Sequence, residues 1–398
     1  MAAVRGGSGL PLLLLLRAML VALVLMPCLV AADCECGFVT RGSVRQKRDG
    51  GGGDGEGSQP LLFTTMLESK FFELKNISRD GTWRRQQYNV SARAGRGEYG
   101  KSFATSNVYS ISSNGEGAAA DAAGSGTGGD DGIGLVVGST VANDAVPVAE
   151  LDSARSDMHY GSYRAGMKLT AVNGTCAAFF WYLNDTQEID MEFLSREFDA
   201  DKGVYPVNLV IQSEASQQAG YDASKTGTFK VVNLTFDPTL GFHEYRFDYL
   251  PGRVLFYADS QLLAEMDGSS VPSGAGHLIL QHWSNGNPLW SGGPPERDAV
   301  LTVSYVKAYF NSSDAGAQSG WAESCQKAQD SGDAVCAIPD VTAANASTGG
   351  TFFNTSDPNQ PSGGGSGGND DSGAVRLSGS TWPTAASALL LVLMMTCL

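Results

Sequence analysis

From residue 61 onward, short alternating or apolar runs recur between turn residues. The pattern predicts strands at 107–111, 133–137, 163–169, 176–183, 188–194, 207–212, 228–234, 243–249, 253–258, 277–282 and 300–309. Gly, Pro and Asn fill the gaps, and helical periodicity is almost absent. Many short strands at this spacing specify an all-β fold, a β-sandwich. Two stretches interrupt the pattern. Residues 49–58 (DGGGGDGEGS) are expected to be disordered, and the Gly/Ala/Asp-rich stretch 114–132 to be a surface loop inserted between strands.

The two ends carry signals of a different kind. After Arg5 comes an apolar run from 10 to 30, broken only by Arg17, with Val30 and Ala32 at the −3 and −1 positions of a cleavage site. Residues 1–32 are therefore expected to be a signal peptide, with an uncut signal anchor as the alternative. At the other end Trp382 to Leu398 is apolar and uncharged. It is short for a membrane span of about 20 residues. A polar spacer precedes it, and small residues around Gly368, Asn369, Asp370 and Asp371 precede the spacer. That order is expected of a glycosylphosphatidylinositol (GPI) attachment signal, 372–398. Eight N-x-[ST] sequons begin at Asn76, Asn89, Asn173, Asn184, Asn233, Asn311, Asn345 and Asn354, as a glycosylated cell-surface or cell-wall protein would carry.

Seven cysteines bear on the same compartment. Cys28 and Cys397 leave with the two signals, so Cys34, Cys36, Cys176, Cys325 and Cys336 remain. In an oxidising compartment these should mostly pair. Cys325 and Cys336 flank a short polar loop and are expected to bridge. Cys34 and Cys36 are too close to bridge each other, so one is expected to reach Cys176, with a fifth cysteine left over. A zinc site is the rival reading, but no His stands at ligand spacing. The expected organisation is a low-complexity segment 33–60 with a Lys47-Arg48 pair as a candidate processing site, a folded domain 61–313, and a Cys loop with a Ser/Thr/Gly-rich stalk 314–371.

Charge narrows the function. Lys+Arg is 27 against 42 Asp+Glu, a net charge of −15, which argues against a nucleic-acid partner. No Gly run has the strand–loop–helix setting of a nucleotide site. The informative segment is Gln187-Glu188-Ile189-Asp190-Met191-Glu192-Phe193. In a strand, Glu188, Asp190 and Glu192 share one face, while Ile189, Met191 and Phe193 share the other and can fill a core. Three acids with no intervening cation repel one another, an unfavourable choice for a purely structural face. A structural or metal-binding acid row remains the alternative. The chemistry such a row suits is glycoside cleavage by two carboxyls, one ionised and one protonated, with Asp190 raising a neighbour's pKa.

The segment resembles the active-site strand of glycoside hydrolase family 16, E-[IL]-D-x-E. The likeness extends to YGSYRAGMK at 160–168, GTCAAFFWY at 174–182, FHEYRFDY at 242–249, WSNGNPLWSGGPP at 283–295 and VSYVKAYFN at 303–311. It implies a concanavalin A-like jelly roll with a glycan cleft on its concave sheet. By that resemblance Glu188 is the nucleophile, Glu192 the general acid/base and Asp190 their helper. It also implies cleft roles for Phe180 and Tyr182, whose parity separates them from Phe179 and Trp181, and for Asn208, Gln281, Trp283 and Trp290, with Arg155 aligned more loosely. Aromatic rings suit the apolar C–H faces of sugars. Thr186 stands where bacterial endoglucanases of the family carry Trp, and E-x-D-x-E is the unbulged form shared by lichenases and transglycosylases. His159, His243, His277 and His282 are dispersed, and His243 and His282 are expected to be structural. The expected substrate and partner is β-glucan or a related wall polysaccharide. No protein partner and no cofactor are expected, and nothing in the sequence indicates a structural calcium. Hydrolysis is placed ahead of transglycosylation. A non-catalytic wall-binding protein and a structural mannoprotein are the readings from other classes.

Overall fold

In the computed structural model, residues 34–40, 61–112, 130–329 and 335–349 are described. The signal peptide, the Lys47-Arg48 pair, nearly all of the 114–132 insert, Asn354 and the anchor signal lie outside them. In chain order the strands are β1 (Gly37–Thr40), β2 (Leu61–Phe63), β3 (Thr65–Lys70), β4 (Trp83–Arg85), β5 (Tyr88–Val90), β6 (Gly100–Phe103), β7 (Val108–Ile111), β8 (Gly132–Val137), β9 (Ala145–Ser153) and β10 (Met158–Lys168). The second half follows with β11 (Cys176–Asn184), β12 (Gln187–Leu194), β13 (Pro206–Ser213), β14 (Phe229–Asn233), β15 (His243–Leu250), β16 (Arg253–Ala258), β17 (Gln261–Asp267), β18 (His277–Trp283), β19 (Ala299–Ser312) and β20 (Val335–Ile338).

Two large sheets make an all-β jelly-roll sandwich. One runs β14-β13-β12-β11-β18-β9-β6-β5, with β4 also on β9. The other runs β17-β16-β15-β10-β19-β8-β7, with β3 also on β19. Period-two alternation decides what lies between them. The first sheet contributes Phe179 and Trp181 of β11, Ile189, Met191 and Phe193 of β12, and Leu209 and Ile211 of β13. The second contributes Tyr163, Tyr245, Phe247 and Tyr249. Ring contacts bridge the layers: Phe179–Phe247 at 5.1 Å, Trp181–Tyr249 at 4.9 Å and Phe193–Tyr245 at 4.7 Å. The opposite face of β11 and β12 is thereby turned outward.

The cysteine pairing differs from the sequence expectation. Cys325 and Cys336 do not bridge each other. Cys34 pairs with Cys336 and Cys36 with Cys325, across 302 and 289 residues. Cys176 is buried and free. The cause is topological: β1 lies between β2 and β20, parallel to the latter, so the first and last described strands meet. Within the 33–60 segment, Gly37–Thr40 is thus a strand. The start of the expected stalk is a helix, Ala315–Gln329, followed by β20. Residues after β20 cover the outer face of the second sheet. Arg164 Nη1 donates to the Pro339 carbonyl at 3.1 Å, Ser260 Oγ to that of Val341 at 2.9 Å, and Lys307 Nζ to that of Gly349 at 2.6 Å. Beneath them lie the buried ion pairs Arg164–Glu244 (3.7 Å) and Arg246–Asp248 (2.5 Å).

Candidate active site

The outward face of the first sheet floors a cavity of about 660 Å³. Pairing sets the floor row by row. Glu188 of β12 faces Tyr182 and Gln212, Asp190 faces Phe180 and Val210, and Glu192 faces Ala178 and Asn208. All three acids line the cavity. Glu188 and Glu192 are half-buried and Asp190 is buried. Burial raises the pKa of each above the ordinary carboxylate range, Glu188 to about 7. Asp190 hydrogen-bonds Glu188, a contact that lowers the pKa of Glu188 and raises that of Asp190, so Asp190 carries the shared proton. Glu192 accepts a hydrogen bond from Cys176 Sγ at 3.4 Å, and the Trp290 indole beside it also favours its ionised form against the effect of burial. A tight set of carboxyls of this kind loses its protons in steps that belong to the set.

Three loops build the walls. After β13, Ser213 and Ser216 form a reciprocal cap on the short helix Glu214–Gln218, and Gly220 and Tyr221 follow with positive φ. This turn brings Tyr221 and Asp222 to the cavity. After β5, Ser91 caps the turn Ala92–Gly95, and Arg96 leaves it in the left-handed region at φ 55°. The third loop holds Trp290 through Asn285, which donates to the Gly95 carbonyl at 2.6 Å and accepts from Ser291 Oγ at 3.1 Å. Its end needs glycine: Gly174 (φ 100°) and Gly293 (φ 81°) touch so closely that a Cβ on Gly293 would sit 2.3 Å from the Gly174 oxygen.

Two of these loops meet. The Arg96 guanidinium lies 4.9 Å from the Tyr221 ring centre, and its Nη1 donates to the Gly220 carbonyl at 3.4 Å. β6 and β13 are separated in the sheet by β12, β11, β18 and β9, roughly 24 Å at the usual strand spacing. The contact therefore arches across the cavity. A second acid pair, Glu150 and Asp152 of β9, lines the same cavity. Glu150 accepts from Tyr88 Oη at 2.8 Å and from Gln281 Nε2. Burial and the neighbouring Glu150 charge push Asp152 to about 8. Asp152 Oδ2 accepts from Gln86 Nε2 at 2.7 Å, while Oδ1 is buried without a hydrogen-bond partner.

Of the residues expected at the cleft, the structure brings Phe180, Tyr182, Gln281, Trp283 and Trp290 together with Glu188, Asp190 and Glu192. It leaves two out. Arg155 is held by Asp157 through bonds of 2.9 and 2.6 Å and lies over the Phe310 ring, away from the cavity. Asn208 shares the face but is buried beyond the cavity lining, its amide donating to Glu197 at 3.4 Å. Glu150 and Asp152 were missed, although Glu150-Leu151-Asp152 repeats the alternation of Glu188-Ile189-Asp190. Tyr88 comes from the three-residue β5 and Arg96, Tyr221 and Asp222 from turns, none of which shows a pattern. His243 binds Asp259 at 2.7 Å, and His282 bridges the Leu135 carbonyl and Thr175 Oγ1, so both are held in the framework. Among the sequons, Asn76, Asn89, Asn173, Asn184, Asn233 and Asn345 are exposed. Asn311 is half-buried, its Oδ1 accepting from Thr64.

Residues 140–305 match the family model Glycosyl hydrolases family 16. A beta-glucanase of Paenibacillus polymyxa is 30% identical over 139 residues, covering 33% of this chain and 52% of that protein. One from Paenibacillus macerans is 32% identical over 130 residues, covering 31% and 48%. The chain thus spans about half the length of the curated relatives it matches. Among solved structures, a prokaryotic beta-1,3-1,4-glucanase (lichenase) from a mouse hindgut metagenome aligns with a TM-score of 0.45 at 15% identity, over 61% of this chain and 98% of that one.

Proposed function

We propose that this chain, whose residues 140–305 match the model of glycosyl hydrolases family 16, is a retaining glycoside hydrolase acting on β-glucan. One observation carries the reading: Glu188, Asp190 and Glu192 lie in a row along the floor of a cavity walled by Phe180, Tyr182, Trp283 and Trp290. Planar apolar rings give sugar C–H faces a surface, and the acids give the glycosidic bond a nucleophile and a proton. The names of the beta-glucanase relatives favour β-glucan over other polysaccharides.

Glu192 gives its proton to the glycosidic oxygen as Glu188 attacks the anomeric carbon. The C–O bond breaks and the leaving chain departs with the proton. A glycosyl ester on Glu188 remains. Glu192, now ionised, takes a proton from an incoming water, whose oxygen displaces Glu188 and restores the β-configuration. Asp190 keeps its proton and donates a hydrogen bond to Glu188, steadying the carboxylate that attacks and later leaves. Raised pKa values suit Glu192 to hold its proton until needed. A sugar hydroxyl can replace water in the second step. On the sequence signals at its two ends, we place the protein at the cell surface, held by a GPI anchor.

The test is product analysis on β-1,3-, β-1,4- and mixed-linkage glucans and chitin oligosaccharides, with a labelled oligosaccharide as acceptor. Reducing ends appearing first as the β-anomer by NMR are expected. α-Anomer would contradict the retaining mechanism. Label incorporation outpacing reducing ends would make the protein a transglycosylase, and neither signal on any glycan would leave a binding protein.

A further inference from the structure

The steps above make no use of Cys176. It is fully buried at the start of β11, on the face that carries Phe180 and Tyr182. The residue paired with Glu192 is Ala178, two positions on, so Cys176 sits diagonally across the ladder from the acid. Its Sγ lies 3.4 Å from Glu192 Oε1, and a second acceptor, the Ala177 carbonyl, is 3.9 Å away. Trp283 pairs with Cys176 from β18, and Lys101 Nζ lies 4.5 Å from the Trp283 ring centre. Burial raises the thiol well above its usual pKa. It therefore stays protonated and donates.

Resting on the role proposed for Glu192, we propose that Cys176 is a positioning residue for the general acid/base. Its thiol holds Glu192 Oε1 by an S–H···O hydrogen bond and leaves the other carboxyl oxygen to carry the proton toward the glycosidic bond. The remaining groups that face Glu192 are Glu188 and Asp190 on its own strand, the Trp290 indole, Lys101 of β6 and Arg96 of the loop after β5. Against that setting the thiol's contribution has a definite sign. A donor to a carboxylate favours the ionised form, so removing it makes Glu192 hold its proton to higher pH.

Two substitutions separate hydrogen bonding from packing. Cys176→Val keeps most of the volume without a donor, and Cys176→Ser keeps a donor in less volume. The readouts are the ¹³C NMR titration of the Glu192 carboxyl, identified by its loss in Glu192→Gln, and the pH profile of kcat/KM. In Cys176→Val both the titration and the basic limb should move up by roughly half a pH unit, while Cys176→Ser should stay close to wild type. Cys176→Ala supplies the donor-free variant if Val does not fold. A donor-free variant titrating like wild type, or Ser and Val shifting alike, would overturn the proposal. A carboxyl that shifts while the basic limb stays still would keep the contact and remove Glu192 as general acid, which tells the two failures apart.

Discussion

Burial of the β12 acids has consequences for stability as well as for catalysis. Glu188 holds its proton to about pH 7 and Asp152 to about 8, above the usual carboxylate values of about 4. Between those limits the folded state binds more protons than the unfolded chain, so stability is fully present below about pH 4 and falls as pH rises through 7–8. Glu188→Gln should therefore raise Tm by about 2–4 °C at pH 8 and by little at pH 4, measured by calorimetry at both. The same variant should lose at least about a thousandfold in kcat, as should Glu192→Gln, with Asp190→Asn losing less. Wild-type turnover in Glu188→Gln would refute its role. On an aryl glycoside whose leaving group needs no proton, residual Glu192→Gln activity should lack a basic limb. The acid row was legible because alternation alone places Glu188, Asp190 and Glu192 on one face. Arg155 could not be excluded from sequence, because its carboxylate partner Asp157 claims it only once the chain turns after β9.

At the scale of a strand, parity makes a sharp prediction on β11. Phe179 and Trp181 are fully buried between the sheets, while Phe180 and Tyr182 face the cavity. Phe179→Ala should cost about 3–5 kcal/mol of stability, because it empties a core site that cannot collapse. Phe180→Ala should cost less than Phe179→Ala, because its ring packs on Ala178 and Ile279 yet borders the cavity, and should raise KM by roughly tenfold through the lost ring contact. The opposite pattern would mean the strand is in the other register. Strands with clear apolar patterns were legible at close to their observed limits, β12 and β16 among them. Three-residue strands such as β4 and β5 are too short to show a period. The helix Ala315–Gln329 escaped notice because AGAQSGWAESCQKAQ has little apolar face to announce it. β9 went unread, and with it the second acid pair, because Pro147 and small residues mask its alternation.

Across the whole molecule, the first and last described segments are fastened together by Cys34–Cys336 and Cys36–Cys325. Such long-range pairing is invisible to local spacing, which favoured the nearby Cys325 and Cys336. Removing both bridges should cost roughly 6 kcal/mol by chain entropy, and removing one much less, because the other still closes nearly the same loop. Denaturant unfolding of the single and double Ser variants would show this. Deleting 382–398 should release the protein into the medium, since a GPI attachment signal of the kind proposed is not processed without its apolar segment. Persistent membrane attachment would point to a different tether. The central claim, however, concerns the bond made to Glu188. The most direct measurement is to trap it with an activated 2-deoxy-2-fluoro β-glucan oligosaccharide, digest the protein and locate the added mass by mass spectrometry. The account predicts one sugar ester, on Glu188, lost in Glu188→Gln. A label on Glu192, Glu150 or Asp152, or unlabelled protein under conditions in which glucan is turned over, would contradict it.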